Sequence, residues 1–203
     1  MNEFDIKAKE WDDNPERHER SEAIAGAIIK SGILRQDMNA MEFGTGTGML
    51  SFLLADRVKE IIMVDTSAGM IEQATSKIKL RNTKNLFPIL LDLQNERYTG
   101  ISPDFIFSQM VLHHIPDTKA ILKRFHELLN SNGYLAIADL YAEDGSFHGD
   151  GADVHKGFDI AILEKELENI GFNNIQTSEC YRIRKTSGNA TEEYPVFLMI
   201  ARK

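Results

Sequence analysis

The chain has 203 residues, 42% apolar and 27% charged, which is enough for one domain with a sizeable core. Its formal net charge of −8 argues against a non-specific nucleic-acid binder, because such binding depends on a cationic surface. A lone cysteine, Cys180, allows no internal disulfide, and no run approaches the roughly 20 apolar residues of a membrane span.

The first residues lack a basic region followed by an apolar one, so no leader is expected, and a reducing, cytoplasmic setting fits best. Residues 1–35 read as an N-terminal helical cap segment. Asn14-Pro15 starts a helix, and Ala23, Ile24, Ala27 and Ile28 recur at helical spacing up to Gly32. Trp11 is either a packing anchor or part of a flap over a ligand. A strand is expected at 38–43, a helix at 49–56, and a second strand at 60–65, ending in Asp65. A helix follows from 68 to about 80. Its end carries Lys77, Lys79, Arg81 and Lys84, which read as a solvated face suited to the helix C-terminal dipole. A third strand at 86–91 contains Pro88, which argues for a sheet edge or a bulge. Strands at 105–108 and 134–140 flank a helix at 118–129, whose apolar stripe is Ile121, Leu122, Phe125, Leu128 and Leu129. Residues 141–158 are rich in Gly, Asp and His and have no periodicity. A long loop of this kind reads as a substrate lid or as a solvated crossover. A helix at 159–170 and strands at 172–184 and 194–201 complete the chain, with a polar loop between the last two and a turn at Ser187-Gly188-Asn189. Strands alternating with helices imply an α/β domain with a parallel sheet, and the short final connection implies an antiparallel last strand.

The chemistry centres on Glu42-Phe43-Gly44-Thr45-Gly46-Thr47-Gly48, between the first strand and its helix. Glycines let a ligand approach the main chain, and the helix start adds unpaired N–H donors. A dinucleotide site needs a small residue at the sixth position of its glycine motif, and here that position is Met49. Asp65 ends the next strand, about 20 residues beyond Gly44, where a carboxylate can accept from both hydroxyls of a ribose. Asp92 ends the third strand, where it can accept from an exocyclic amine. Glu42, Asp65 and Asp92, with no Arg or Lys in the loop, suit a ligand with a ribose, an amine and a cationic centre better than a phosphate.

Assembled with Val64-Asp65, Leu91-Asp92-Leu93, the stretch 105–116 and the turn 128–135, the chain resembles the class I S-adenosylmethionine-dependent methyltransferases. The opening Phe4-Asp5-x-x-Ala8-x-x-Trp11-Asp12 resembles the start of their small-molecule branch. The resemblance implies a Rossmann-like three-layer sandwich with a seven-stranded, mostly parallel sheet, as a single domain over 1–203. It implies S-adenosylmethionine as cofactor. Gly44, Thr45, Gly46 and Gly48 would lie at its methionine part, with Glu42 close by and Trp11 available as cover. Asp65 would hold the ribose, Thr66 and Met70 the adenine, Asp92 and Leu93 the adenine amine, and Gln109 the amino-acid end.

After the fourth strand the chain reads Ser108-Gln109-Met110-Val111, not the Asn/Asp-Pro-Pro-aromatic run of base and amide methyltransferases. With the acidic charge, this points to a small-molecule acceptor and to no nucleic acid. His113 and His114 are candidate general bases, or else they brace their own loop. Tyr141 and His155 are candidate substrate contacts. His148, Asp150, Asp153 and His155 match no standard ligand spacing, so no metal is expected. Two other readings stay open: an NAD-dependent oxidoreductase, and an S-adenosylmethionine-binding protein without catalysis.

Overall fold

The computed structural model describes residues 3–149, 153–187 and 190–203. Its centre is a seven-stranded sheet. The strands are β1 (Asn39–Phe43), β2 (Glu60–Asp65), β3 (Leu86–Leu90), β4 (Phe105–Gln109), β5 (Tyr134–Leu140), β6 (Asn173–Ser187) and β7 (Ala190–Arg202). Their spatial order is β3-β2-β1-β4-β5-β7-β6. Neighbours from β3 to β5 run parallel, and β7 runs antiparallel to both β5 and β6.

The helices are α1 (Glu3–Lys7), α2 (Pro15–Lys30), α3 (Met49–Leu54), α4 (Ala68–Arg81), α5 (Thr118–Leu128) and α6 (Ile160–Ile170). Side chains alternate across the parallel strands, so each strand feeds two cores. Ala40, Phe105, Phe107, Ala136 and Ala138 join Ile24 and Ile28 of α2, Leu50 and Leu54 of α3, and Ala74 of α4. Met41, Ile106, Leu135 and Ile137 join Ile121 and Phe125 of α5 and Leu163 and Leu167 of α6. Helices on both faces of one sheet make a three-layer sandwich.

Capping side chains mark the helix starts, at Asn14 as the sequence suggests and at three further positions. Asn14 accepts from Glu16 N, Ser67 from Met70 N, Asp117 from Ala120 N and Asp159 from Ile162 N. Pro88 sits on β3, which is the sheet edge, where a missing N–H costs least. The closing hairpin differs from expectation. Pairing continues through the polar stretch 185–193 to Ser187↔Ala190, and the turn residues Gly188 and Asn189 lie outside the described residues. Arg182 and Arg184 pair with Glu193 across the hairpin, so charged side chains hold the exposed arm together.

Candidate active site

Open α/β sheets bind ligands beyond the carboxyl ends of their strands, where the strand order reverses. Here that point lies between β1 and β4. The loop after β1 turns there through Gly44, Gly46 and Gly48, all with positive φ. Gly48 then serves as the left-handed N-cap of α3. A Cβ on Gly44 would overlap the Val111 side chain, so the loops after β1 and β4 pack backbone against side chain.

Asp65, at the end of β2, holds the loop in shape. Its Oδ2 accepts from Gly46 N at 2.7 Å, and its Oδ1 accepts from Ser67 N at 2.8 Å. Burial raises its pKa above the usual carboxylate value, against the opposing pull of these backbone bonds. Each oxygen keeps a lone pair for a further donor.

Glu42 is fully buried beneath the loop. Its Oε2 accepts from Thr45 Oγ1 at 2.6 Å and from Ser51 Oγ, while its Oε1 has no partner. Burial pushes its pKa up to about 7, with the two hydroxyls opposing the rise. A half-ionised carboxyl with an orphaned oxygen under a glycine loop is suited to a cationic group placed above it.

The N-terminal segment covers this loop. Asp5 accepts from Ser67 Oγ and Gly69 N, fastening α1 to the start of α4. Asp12 accepts from Thr47 Oγ1 and pairs with Lys77 at 2.6 Å. Lys77 is therefore half-buried and engaged, not part of a solvated helix end. Trp11 lies over the loop, with its Nε1 3.8 Å from the Cβ position of Gly46 and Met70 Sδ 4.0 Å from the same point. The Arg17 guanidinium stacks on the Trp11 ring at 3.8 Å and donates to its carbonyl. Thus Trp11, Gly46, Met70 and Asp65 come together, with Glu42 below. Thr66 is exposed just beyond β2. Asp92 lies further out, past β3, and turns toward its own loop, accepting from Gln94 N and Asn95 Nδ2. Leu93 beside it is buried. Gln109 Oε1 accepts from Ser21 Oγ of α2 at 3.1 Å.

The loop after β4 begins with Met110 at φ 54, a left-handed residue that is not glycine, held by its N–H to Ala138 O. Backbone strain of this kind is common beside functional sites. A short helical turn, Leu112–His114, follows. His113 is buried and meets Asp139 of β5, with Nδ1 and Oδ1 2.6 Å apart. Asp139 is fully buried and also accepts from His113 N and Leu140 N. Sequence reasoning passed over Asp139. Its only signal was an acid inside the apolar run of β5.

Residues 141–149 and 153–158 fold back beside His113. Ala142 N bonds Phe158 O, Glu143 N bonds Lys156 O, and His155 N bonds His113 O. His155 Nε2 reaches Ile115 O at 2.9 Å, and Tyr141 packs edge-on against Phe197. His148 comes beside His113 and His114, which spacing along the chain does not reveal. Asp150 lies outside the described residues. Cys180 donates weakly to Val196 O, and burial pushes its thiol up to about 12, which makes it structural rather than nucleophilic.

The profile of a methyltransferase domain family matches residues 17–177. With this sheet order and site, the chain belongs to the class I S-adenosylmethionine-dependent methyltransferases. An uncharacterized methyltransferase of Schizosaccharomyces pombe is 26% identical over 158 residues, spanning 70% of this chain and 56% of its own length. The chain therefore covers little more than half of that relative. A chain from the complex between the Haloferax volcanii Trm112 methyltransferase activator and a methyltransferase superposes with TM-score 0.80 at 16% identity, covering 100% of this chain and 98% of its own. Haemonchus contortus phosphoethanolamine N-methyltransferase 2, in complex with phosphomonomethylethanolamine and S-adenosylhomocysteine, gives TM-score 0.72 at 16% identity, covering 88% and 52%. These two likenesses are of fold.

Proposed function

We propose that the protein transfers a methyl group from S-adenosylmethionine to a small-molecule acceptor. The observation that carries this reading is Glu42: a buried carboxyl with one unpartnered oxygen, under three left-handed glycines. That arrangement favours a cationic ligand held close to the main chain over a pyrophosphate, whose charge would sit above a buried carboxyl. When bound, S-adenosylmethionine supplies a methyl group already activated on a sulfonium. Asp65 takes the ribose hydroxyls, and Met70 and Thr66 flank the adenine. Asp92, with Leu93 beside it, takes the adenine amine after turning out of its own loop. Gly44, Thr45, Gly46 and Gly48 approach the methionine part, with Gln109 at its amino-acid end and Trp11 as cover.

The protein's remaining tasks are alignment and exclusion of water. The segment from Phe4 to Asp12 covers one side, and the loop 141–158 acts as a lid on the other, with Tyr141 and His155 toward the acceptor. His113 and His114 act on the acceptor's proton, with Asp139 fixing the His113 ring. A small acceptor is supported by this double cover, by the acidic net charge of −8 and by the departure at Ser108-Gln109-Met110-Val111. The acceptor bound to the Haemonchus contortus enzyme is also small. Among the described residues no helix is long and apolar enough to cross a membrane. The inert thiol of Cys180 suits a cytoplasmic setting.

Calorimetry with S-adenosylmethionine, S-adenosylhomocysteine and NAD tests the cofactor. Binding of both adenosyl ligands and not NAD is expected, and binding of NAD alone would refute the reading. Transfer of labelled methyl to a metabolite pool tests the acceptor. No labelled product from any pool, in a protein that still binds the cofactor, would leave a binding protein without catalysis.

A further inference from the structure

The three imidazoles of His113, His114 and His148 converge at the lid end of the crevice. Ring centroids lie 4.2 Å apart for His113–His114, 5.0 Å for His113–His148 and 5.2 Å for His114–His148. One ring nitrogen from each lies within 4.8 Å of the other two. Burial is graded across the set, from buried His113 through half-buried His114 to exposed His148. The set is therefore rooted in the core and open on one side.

Asp139 adds a second, independent feature. It holds Nδ1 of His113 at 2.6 Å, which leaves Nε2 as the nitrogen available to a ligand. A buried carboxylate on one imidazole nitrogen, with the other presented outward, is the support that metal-binding histidines commonly have. The aromatic surroundings brace the rings: Phe4 lies edge-on to His114, and Phe147 lies edge-on to both His113 and His148.

We propose that His113, His114 and His148 bind one divalent transition-metal ion of the zinc type, leaving an open coordination position toward the methyl acceptor. Three histidines with an open fourth position are a common donor set for catalytic zinc. Metal–nitrogen bonds of roughly 2.0–2.1 Å require the nitrogens to close to about 3.3 Å, a movement of about 1.5 Å at most. His148 sits on the exposed loop and can supply it. The role of the ion rests on the methyltransferase reading above and takes the place of the general-base role given there to His113 and His114, whose ring nitrogens it would occupy. It binds the acceptor's oxygen or sulfur and lowers its pKa, so that the proton passes to solvent water; the anion then forms its bond to the methyl carbon as the sulfonium carbon–sulfur bond breaks and S-adenosylhomocysteine leaves. The expectation of no metal concerned His148, Asp150, Asp153 and His155 on one loop. The present set joins that loop to the turn after β4, which only the fold brings together.

The test uses untagged full-length protein freed of metal by chelator, titrated with Co2+ and followed by visible absorbance, with Zn2+ as competitor. One Co2+ per chain is expected, with the intense bands of a low-coordinate site, displaced by Zn2+. His148→Ala, at an exposed position, should weaken Co2+ binding by roughly a hundredfold with the far-UV spectrum unchanged. Asp139→Asn should weaken it by about 10–100-fold with the far-UV spectrum unchanged. Absence of Co2+ bands in the wild type, or the same affinity in His148→Ala, would overturn the proposal. Calorimetry with S-adenosylmethionine on the same samples keeps the two readings apart. Cofactor binding without metal binding refutes the metal site alone, and loss of cofactor binding refutes the methyltransferase reading.

Discussion

Glu42 makes the cofactor reading quantitative. In the free protein its pKa is pushed up to about 7, against an ordinary value of 4.5. That rise of 2.5 units corresponds to about 3 kcal/mol of disfavoured ionisation, at about 1.4 kcal/mol per unit. A cationic ligand above the carboxyl reverses the balance and draws its pKa back toward the ordinary value. Binding at pH 6 should then release about 0.9 proton from this group, at pH 7 about half, and at pH 8 about 0.1. By linkage, affinity rises about tenfold from pH 6 to pH 8 through this group alone. Calorimetry in two buffers of different ionisation enthalpy measures the protons directly. Glu42→Gln keeps the acceptor for Thr45 and Ser51 and removes the titration. The difference between wild type and variant therefore excludes any proton carried by the ligand's own amine. Equal proton release in the two proteins would refute the argument.

The same group makes the free protein's stability depend on pH. A folded pKa above the unfolded one means the contribution is fully present below about pH 4.5 and lost as pH rises through about 7. Relative to Glu42→Gln, the wild type should lose about 3 kcal/mol over that window, or roughly 6–12 °C in Tm, read by thermal denaturation. Asp65→Ala removes the acceptor proposed for the ribose together with that of Gly46 N, and should weaken S-adenosylmethionine binding by about 10–150-fold in calorimetry. An unchanged Kd would count against the ribose assignment. Gly44→Ala forces a left-handed alanine into the Val111 side chain, and should lower stability by about 2 kcal/mol or more in urea denaturation. Lys77→Ala breaks a half-exposed ion pair with Asp12, worth up to about 1 kcal/mol. The N-terminal cap should then be cut faster in limited proteolysis, with the sheet's stability nearly unchanged.

The parallel part of the fold was legible residue by residue. Runs such as Glu60–Asp65 and Tyr134–Leu140 are apolar on both faces because helices cover both sides of the sheet, and turn and cap residues bound them sharply. The glycine loop was legible for the same local reason, since only glycine accepts that backbone without strain. The closing hairpin was less so. Its polar arm carries no apolar period, and its length rests on cross-strand pairs such as Arg184–Glu193, which no local window contains.

The sequence alone determined the strand–loop–helix that would hold a ligand, the acids that end the next two strands and the family it resembles, because each motif is set by its immediate neighbours and their order along the chain needs no contacts to be read. Tertiary structure decided what depends on distant contacts. It buried Glu42 with one oxygen unpaired, and desolvation is a property of the surroundings rather than of the residue. It turned Lys77 from an exposed helix end toward Asp12, in a segment far away in the chain. It set Asp139 of β5 against His113 because β4 and β5 are neighbours in the sheet, and the returning loop added His148. Local chemistry shaped the glycine loop, and long-range packing assembled the histidines beside Asp139.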